Sequence, residues 1–313
     1  MEPAPTFTVF TPTFNRSRTL HRVRNSLTCQ SFRDFEWLIV DDGSSDNTAE
    51  LVESWQDDSD FPIRYLRQEN QGKHIAVNRG VENARGELFL ILDSDDTCVP
   101  DALERFIHHW NAIPADIRET FSGVTCLCQD ERGNIVGDTF PENVWDADYQ
   151  TLVYKHRIRG EKWGFHTTAV MRAFPFPEVD KRIYVGESYV WRRIGRQYKQ
   201  RHINEALRIY HQDETAGQIT KRPLKQAARS RKYYLAHLRE DFDIMRSYPM
   251  FAVRLAGNYA RYSFHEGEGL WRQIRNAFCE DLRVALVLAL CVVPGWTFFL
   301  RDELRERFSE RWQ

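Results

Sequence analysis

The sequence predicts an α/β fold with a mostly parallel central sheet, followed by a helical C-terminal extension. Three observations carry that reading. Short β-rich apolar runs alternate with helical patterns through the first hundred residues, and repeats of that length build a parallel sheet with right-handed crossovers. The runs are continuously apolar rather than alternating, as strands covered on both faces are. From Leu224 onward the pattern turns mostly helical and basic.

In chain order, FTVFTPTF (7–14), FEWLIVDD (35–42), PIRYLR (62–67) and ELFLILD (87–93) read as strands, with helical patterns between them at 17–30, 47–56 and 73–84. After the fourth strand a helix is expected, with Thr97 near its cap and Pro100 in its first turn. FSGVTCLCQDERGNIVGD then reads as a hairpin turning at 131–134. Residues 140–186 are rich in aromatics, Pro and Gly with weak periodicity, which suits binding loops and short strands. A helix over 187–198 and a strand over 207–211 follow, and a domain boundary is placed near residue 220.

Composition bounds the alternatives. At 313 residues the chain can bury a substantial core and hold one large domain with an appendage. The net charge of -2 conceals an asymmetry: residues 221–313 carry 17 Lys and Arg against 11 Asp and Glu, giving +6 there and -8 elsewhere. Those basic residues are interleaved with acids and no nucleic-acid-binding motif accompanies them, so no nucleic-acid partner is expected. Cys29, Cys98, Cys126, Cys128, Cys279 and Cys291 show neither paired CxxC spacing nor a histidine arrangement suited to zinc. Reduced cysteines in a cytoplasmic protein are expected. MEPAPTFTVF lacks the basic region and apolar core of a secretory signal.

Each strand-like run ends in polar residues: Thr11 and Thr13, then Asp41 and Asp42, then Asp93, Asp95 and Asp96. In open α/β sheets the carboxyl ends of the strands form the ligand crevice. Three carboxylates within four positions repel one another and are costly to desolvate without a positive partner, so LDSDD asks for a cation. The GxGxxG of a dinucleotide-binding fold is absent after the first strand.

Strand-TPTFN, strand-DDGSSD, NQGKHIAVNRG and LDSDD, in this order and spacing, closely resemble the family 2 glycosyltransferases. The likeness is strong over residues 6–111 and looser over 160–211. It implies the Rossmann-like, nucleotide-sugar-binding glycosyltransferase A (GT-A) fold over 1–220, with a nucleotide-sugar half at about 1–111 and an acceptor half at about 112–220. Residues 221–313 then form a separate basic helical region. The implied activity is inverting transfer of a sugar from a nucleoside-diphosphate sugar, UDP-linked, to a glycan or lipid-linked acceptor.

By the same resemblance Asp93 would contact the ribose and Asp95 would bind a divalent metal. Mn2+ or Mg2+ suits hard carboxylate and diphosphate oxygens. Asp42 would pair with the base, uracil or another pyrimidine, with Thr11 and Thr13 lining that pocket and Lys73 near the nucleotide. Asp96 is read as a cap for the following helix, and Asp41 as an Asx-type turn before Gly43. His211, at the end of LRIYH, is either a further metal or diphosphate contact or a plain surface residue. Lys162, Trp163 and His166 lie where the acceptor would approach, with Trp163 either stacked on a sugar face or buried.

Inverting transfer also needs a general base for the acceptor hydroxyl. In the family this is a carboxylate of a Glu-Asp pair opening a helix after the acceptor loops. YVGESYVWRRIGRQYK keeps Glu187 but has Ser188 at the Asp position, so Glu187 takes the role, with Asp180 and Glu178 as the next candidates. Ser188 also leaves open a non-catalytic relative that binds nucleotide sugars or glycans.

The run at 284–300 is uncharged for 17 residues but broken by Pro294 and Gly295, whereas a spanning helix needs about 20 continuous apolar residues. Two readings stand: a buried helix on the catalytic domain, or an interfacial segment on the cytoplasmic leaflet of a membrane. For the second, Arg272, Arg275, Arg283, Arg301, Arg305 and Arg307 flank the run, and Trp271, Trp296 and Trp312 would sit at headgroup level.

Overall fold

A computed structural model describes residues 4–178, 185–211, 227–280 and 282–309. The chain divides into two compact units, one of residues 1–181 and 185–214, the other of 182–184 and 215–313.

The first unit is built on a nine-stranded sheet. Strands β1 (Phe7–Thr13), β2 (Phe35–Asp41), β3 (Ile63–Arg67) and β4 (Leu88–Ile91) lie in the order β3-β2-β1-β4, all parallel. The sheet continues through β8 (Lys162–Thr167), antiparallel to both β4 and β6 (Phe121–Gln129), and then through β9 (Lys199–Ile209), parallel to β6. Along the outer edge of β9, β7 (Val144–Ala147) pairs with one end and β5 (Thr97–Cys98) with the other, both antiparallel.

Side-chain alternation assigns each face of this sheet to its helices. Phe7, Val9, Trp37, Ile39, Leu88 and Leu90 join one core with α1 (Leu20–Thr28), α2 (Thr48–Gln56) and α4 (Ala102–Asn111). These helices bury Leu20, Val23 and Leu27, then Val52 and Trp55, then Leu103, Phe106 and Trp110, spacings that put each set on one helical face. On the opposite face Phe10 stacks on Phe89 with centroids 5.1 Å apart. There α3 (Lys73–Asn83) and α5 (Thr168–Ala173) pack, α3 burying Ala76, Val77 and Val81.

Close backbone approach fixes Gly123 in the sheet, as it does Gly164 on the facing strand. Gly123 of β6 faces β8, and a methyl group there would run into the Phe165 carbonyl. Gly123→Ala is therefore expected to destabilise the unit by about 1–3 kcal/mol as the strands part, read as a lowered denaturant midpoint with an unchanged slope.

The structure revises several boundaries. Thr97 and Cys98 pair with Ile209 and Arg208 as β5, so the following helix, α4, starts only at Ala102 with Asp101 at its cap position. The turn after β6 is held by Asp130, whose Oδ1 accepts from Arg132 N at 2.9 Å and Asn134 N at 2.8 Å. Its returning arm makes only an isolated bridge, Ile135 to Gln129. The helix expected over 187–198 is the shorter α6 (Ser188–Ile194), and the last strand is longer than its apolar end suggests.

The second unit is helical: α7 (Ala227–Glu240), α8 (Phe242–Ser247), α9 (Pro249–His265), α10 (Leu270–Glu280) and α11 (Leu282–Ser309). Leu238, Leu255, Tyr259, Val284 and Leu288 lie in its core. Among the described residues no single helix is long and apolar enough to cross a membrane; the segments Leu282–Ala289 and Val293–Asp302 meet that test only together, bent by 63°. Pro294 accounts for the bend, since it removes a helical hydrogen bond and crowds the carbonyl one turn earlier. Arg305, Arg307 and Trp312 lie outside the described side chains.

Candidate active site

The carboxyl ends of β1, β2 and β4 meet at one edge, and their loops are tied to each other before any ligand is considered. Ser44 Oγ accepts from Asn15 N at 2.8 Å, and Asn15 Oδ1 accepts from Ser45 N at 2.8 Å. Asp46 Oδ2 takes the Ser17 hydroxyl at 2.8 Å, and its Oδ1 takes Thr48 N at 3.2 Å, opening α2. The SSD of DDGSSD thus clamps the loop after β1 as well as starting a helix. Asp41 accepts from Ser44 N at 2.8 Å and from the Tyr65 hydroxyl at 2.5 Å, which makes it the turn residue expected.

Asp42 is buried and holds the loop that leads into α3. Its Oδ1 accepts from Gln68 Nε2 at 2.7 Å and Gln71 N at 2.8 Å, and its Oδ2 from Gly72 N at 2.8 Å. Since a carboxylate has about four acceptor positions, one remains on Oδ2. Thr11 and Thr13 project from the same face of β1. The Thr11 hydroxyl is taken by the Trp37 indole N–H at 3.0 Å, so it belongs to the core rather than to a pocket lining. Thr13 Oγ1 is buried and has no hydrogen-bond partner among the described residues, an arrangement that is costly unless a ligand or water completes it.

Beside them runs a chain of alternating charges. Glu187 Oε1 lies 2.9 Å from Lys73 Nζ, which lies 2.7 Å from Asp93 Oδ1. Asp93 Oδ2 is 3.3 Å from Arg208 Nη2, and Arg208 gives both Nε, at 2.8 Å, and Nη2 to Asp96 Oδ2. Asp96 Oδ1 accepts from His211 N at 3.0 Å. Asp96 is therefore a buried partner of Arg208 and not the expected cap of α4. The cation that LDSDD asked for is supplied in part by the protein itself, through Lys73 and Arg208.

These neighbours set the protonation equilibria. Burial alone would raise the Asp93 carboxyl, but Lys73 and Arg208 outweigh it and pull it down to about 2. At Asp96 burial wins, raising the carboxyl to about 6 against the opposing pull of Arg208. Lys73 is desolvated yet held well above the usual lysine range by Asp93 and Glu187. As the first residue of α3, Lys73 also sits against the helix dipole, so these carboxylates stabilise a charge that the helix does not.

Asp95 differs from its neighbours. Its side chain is 35 % exposed, and it pairs with Arg16 at 3.5 Å. His211 stands nearby in the chain of contacts: Nδ1 is 2.7 Å from Glu131 Oε1 and Nε2 is 3.0 Å from Thr97 Oγ1. A carboxylate only accepts, so in the neutral ring Nδ1 carries the hydrogen and Nε2 presents its lone pair. A carboxylate behind a histidine is the usual support for a metal-binding imidazole. Among the described residues no cluster of three or more His, Cys, Asp or Glu forms a complete metal cage. In donor chemistry, a carboxylate such as Asp95 and an imidazole such as His211 suit a divalent ion completed by phosphate oxygens.

The acceptor-side residues are scattered. Trp163 was expected as a sugar platform or a buried ring; it is buried, with its indole N–H donated to the Ile91 carbonyl at 2.6 Å and its ring against Phe106. No face is left for a sugar. His166 is also buried, stacked on Trp191 at 4.6 Å, with burial pushing its imidazole down to about 3 and Nδ1 lacking a partner among the described residues. Lys162 gives its ammonium to the carbonyls of Arg159 at 2.9 Å and Glu161 at 3.2 Å. Glu187, at the cap position of α6, is 40 % exposed. Glu178 is exposed, and Asp180 lies outside the described residues. Sequence reasoning missed Arg208; the signal available was an arginine within the otherwise apolar run ALRIY.

A mostly parallel sheet with acidic strand ends at one edge defines an α/β fold of the glycosyltransferase A type, the class that binds nucleotide sugars. The Glycosyl transferase family 2 model matches residues 8–171, just over half of the chain, and the chain belongs to that family. It is 28% identical over 211 residues to the GalNAc(5)-diNAcBac-PP-undecaprenol beta-1,3-glucosyltransferase of Campylobacter jejuni, covering 66% of this chain and 64% of that protein. An uncharacterized glycosyltransferase of Nostoc is 38% identical over 94 residues, 30% of this chain and 29% of that protein. The chain thus spans less than two thirds of the length of these curated relatives. In fold it resembles residues 1–349 of S. aureus TarS in complex with UDP-GlcNAc, with a TM-score of 0.61 at 18% identity over 96% of this chain and 92% of that one. It also resembles the mannosyltransferase PcManGT from Pyrobaculum calidifontis in complex with GDP-Man and Mn2+, with a TM-score of 0.56 at 17% identity over 96% and 84% of the two chains.

Proposed function

We propose that the chain transfers a sugar with inversion from a nucleoside-diphosphate sugar, UDP-linked, to a glycan or lipid-linked acceptor. One observation carries the reading. At the ligand edge Asp41, Asp42 and Asp96 are buried and engaged in hydrogen bonds within the protein, whereas Asp95, paired with Arg16 at 3.5 Å, and Glu187, paired with Lys73 at 2.9 Å, are the more exposed carboxylates. Their exposure supports a reading in which Asp95 serves the diphosphate side and Glu187 the acceptor.

The contacts support the following roles. Asp42, with its remaining acceptor position, takes the N–H of a uracil base, and Thr13 supplies the hydroxyl beside it. Asp93, kept ionised by Lys73 and Arg208, accepts from a ribose hydroxyl. Asp95 and His211 Nε2, once it exchanges Thr97, would hold Mn2+ or Mg2+. A divalent ion there would neutralise charge on the departing diphosphate. Lys73 answers to Asp93 and Glu187 in the free protein; an arriving diphosphate competes for it and frees Glu187. Glu187 then accepts the acceptor hydroxyl proton as its oxygen bonds to the anomeric carbon and the carbon–phosphate oxygen bond breaks. The relative from Campylobacter jejuni, whose name specifies an undecaprenol-linked acceptor, supports a lipid-linked acceptor here.

UDP at about a hundred times its Kd should stabilise the folded chain by about 2.7 kcal/mol. Most of the resulting rise in melting temperature is expected to need Mn2+ or Mg2+, and Asp95→Asn should abolish the metal-dependent part. An equal rise with and without chelator in the wild type would remove Asp95 from the metal. Hydrolysis of a UDP-sugar panel by the wild type separates an enzyme from a binding-only relative.

A further inference from the structure

Helix α11 is apolar on two opposite sides. Its inner side packs in the helical unit: Val284, Ala285 and Leu288 are buried in the first segment, and Gly295 in the second lies so close to α9 that a methyl group there would strike Ala260 and the Gly257 carbonyl. Asp302 closes this inner face, buried and bonded to Arg261, whose Nη2 gives Oδ1 a 2.8 Å hydrogen bond, and to His265 at 3.2 Å. The outer side carries Leu282, Leu286, Val293, Trp296 and Leu300, mostly three or four residues apart, as a stripe on one helical face requires. These are exposed, Leu286 by 59% and Val293 by 65%, and Trp271 on α10 is 82% exposed. A helix apolar all round is ordinarily covered on all sides.

We infer that this outer face of α11, with Trp271 of α10, docks on the surface of an anionic lipid bilayer. Charge favours that occupant. Residues 270–302 carry Arg272, Arg275, Arg283 and Arg301 against Glu280, Asp281 and the buried Asp302, and among the described side chains the exposed charged ones are the four arginines. A symmetric contact between two copies would bring these arginines toward one another, and like charges oppose that pairing. An anionic headgroup layer complements them, at about 1 kcal/mol per basic residue near the surface. Trp271 and Trp296 carry the amphipathic ring that favours the headgroup level. The proline bend excludes a straight spanning helix, and an in-plane apolar stripe edged by arginine is the interfacial arrangement. The run packs by its inner face within the helical unit, which is not the expected packing on the catalytic domain, and its outer face leaves room for the interfacial reading.

The inference is independent of the proposed reaction. It is tested by flotation of the full chain with vesicles of phosphatidylglycerol and phosphatidylcholine, against vesicles of phosphatidylcholine alone, without any sugar nucleotide. The wild type is expected to float with the anionic vesicles and to be released by salt. Leu286→Glu/Val293→Glu should lower partitioning on the order of 10²-fold through the loss of two buried aliphatic groups, with its melting curve in the absence of vesicles unchanged. Arg272→Gln/Arg275→Gln, which leaves the apolar stripe intact, should lower only the anionic component. Equal flotation of all variants, or none of the wild type, would overturn the inference. So would a concentration-dependent dimer, seen by light scattering without lipid and lost in Leu286→Glu/Val293→Glu, because a second copy would then cover the face.

Discussion

Glu187→Gln is expected to lower turnover on the order of 10²-fold or more while leaving nucleotide-sugar affinity nearly unchanged, because a general base acts in the transition state and not in donor binding. The glutamine keeps the size of the side chain and an oxygen for the 2.9 Å contact with Lys73, so the charge chain loses one member without a cavity. What it loses is the capacity to accept a proton. Single-turnover rates with a saturating donor isolate the step, and donor affinity measured by calorimetry serves as the control. Near wild-type turnover would move the role to another carboxylate, Glu178 or Asp180.

Ser188 bears on this outcome. It replaces the carboxylate that the family places beside Glu187, and it occupies the first turn of α6, where a hydroxyl cannot take the proton for itself. Glu187 and Lys73 come from different elements and meet only through the fold. Both residues stand within recognisable motifs of the sequence, but the ion pair between them became visible only in three dimensions.

The same distinction explains which parts of the fold were legible. Strands β1, β2 and β4 are buried on both faces over most of their length, and β3 is half-buried beside them; their apolar runs identify all four to within two residues at each end. The motif loops carried their function in local composition: DDGSSD contains both the turn residue Asp41 and the clamp formed by Ser44 and Asp46. Strand β9 was read only at its apolar end because its first half, KQRHIN, looks like surface. In the fold Arg201 is buried there against Asp146, with its Nε 2.9 Å from Oδ1. Thr97 resembled a helix cap because Pro100 follows it, yet the distant edge of β9 recruits it as a strand. By their order in the chain Trp163 and His166 fall on the acceptor side. The alternation of β8 and its pairing between β4 and β6 instead turn both rings into packed layers. Long-range pairing decides each of these cases, and local pattern does not contain it.

Arg208 is the residue that this pairing makes essential. It is 7% exposed and stands between Asp93 and Asp96, the latter 1% exposed. Removing one partner from a buried ion pair costs about 3–5 kcal/mol, because the other charge stays desolvated without compensation. Arg208→Met keeps most of the packing volume and is expected to lose about that much stability at pH 8. The loss should be smaller at pH 5. With Arg208 present the Asp96 carboxyl titrates at about 6, against about 3.9 in an unfolded chain, so the native state binds the extra proton and stability falls as pH rises from about 4 to about 6. Without the guanidinium the same carboxyl is raised further, and that decline continues above pH 6. Asp93 has the opposite sign: held at about 2 by Lys73 and Arg208, it contributes stability above about pH 4 that is lost as the pH falls toward 2, and Arg208→Met forfeits part of it. Arg208→Met/Asp96→Asn should recover much of the loss at pH 8, since the asparagine side chain carries no charge and can still accept from His211 N. Guanidinium titrations of the wild type and the two variants at pH 5 and pH 8 give the comparison. A loss below about 1 kcal/mol at pH 8, the scale of an exposed pair, would show that Arg208 does not hold the site together.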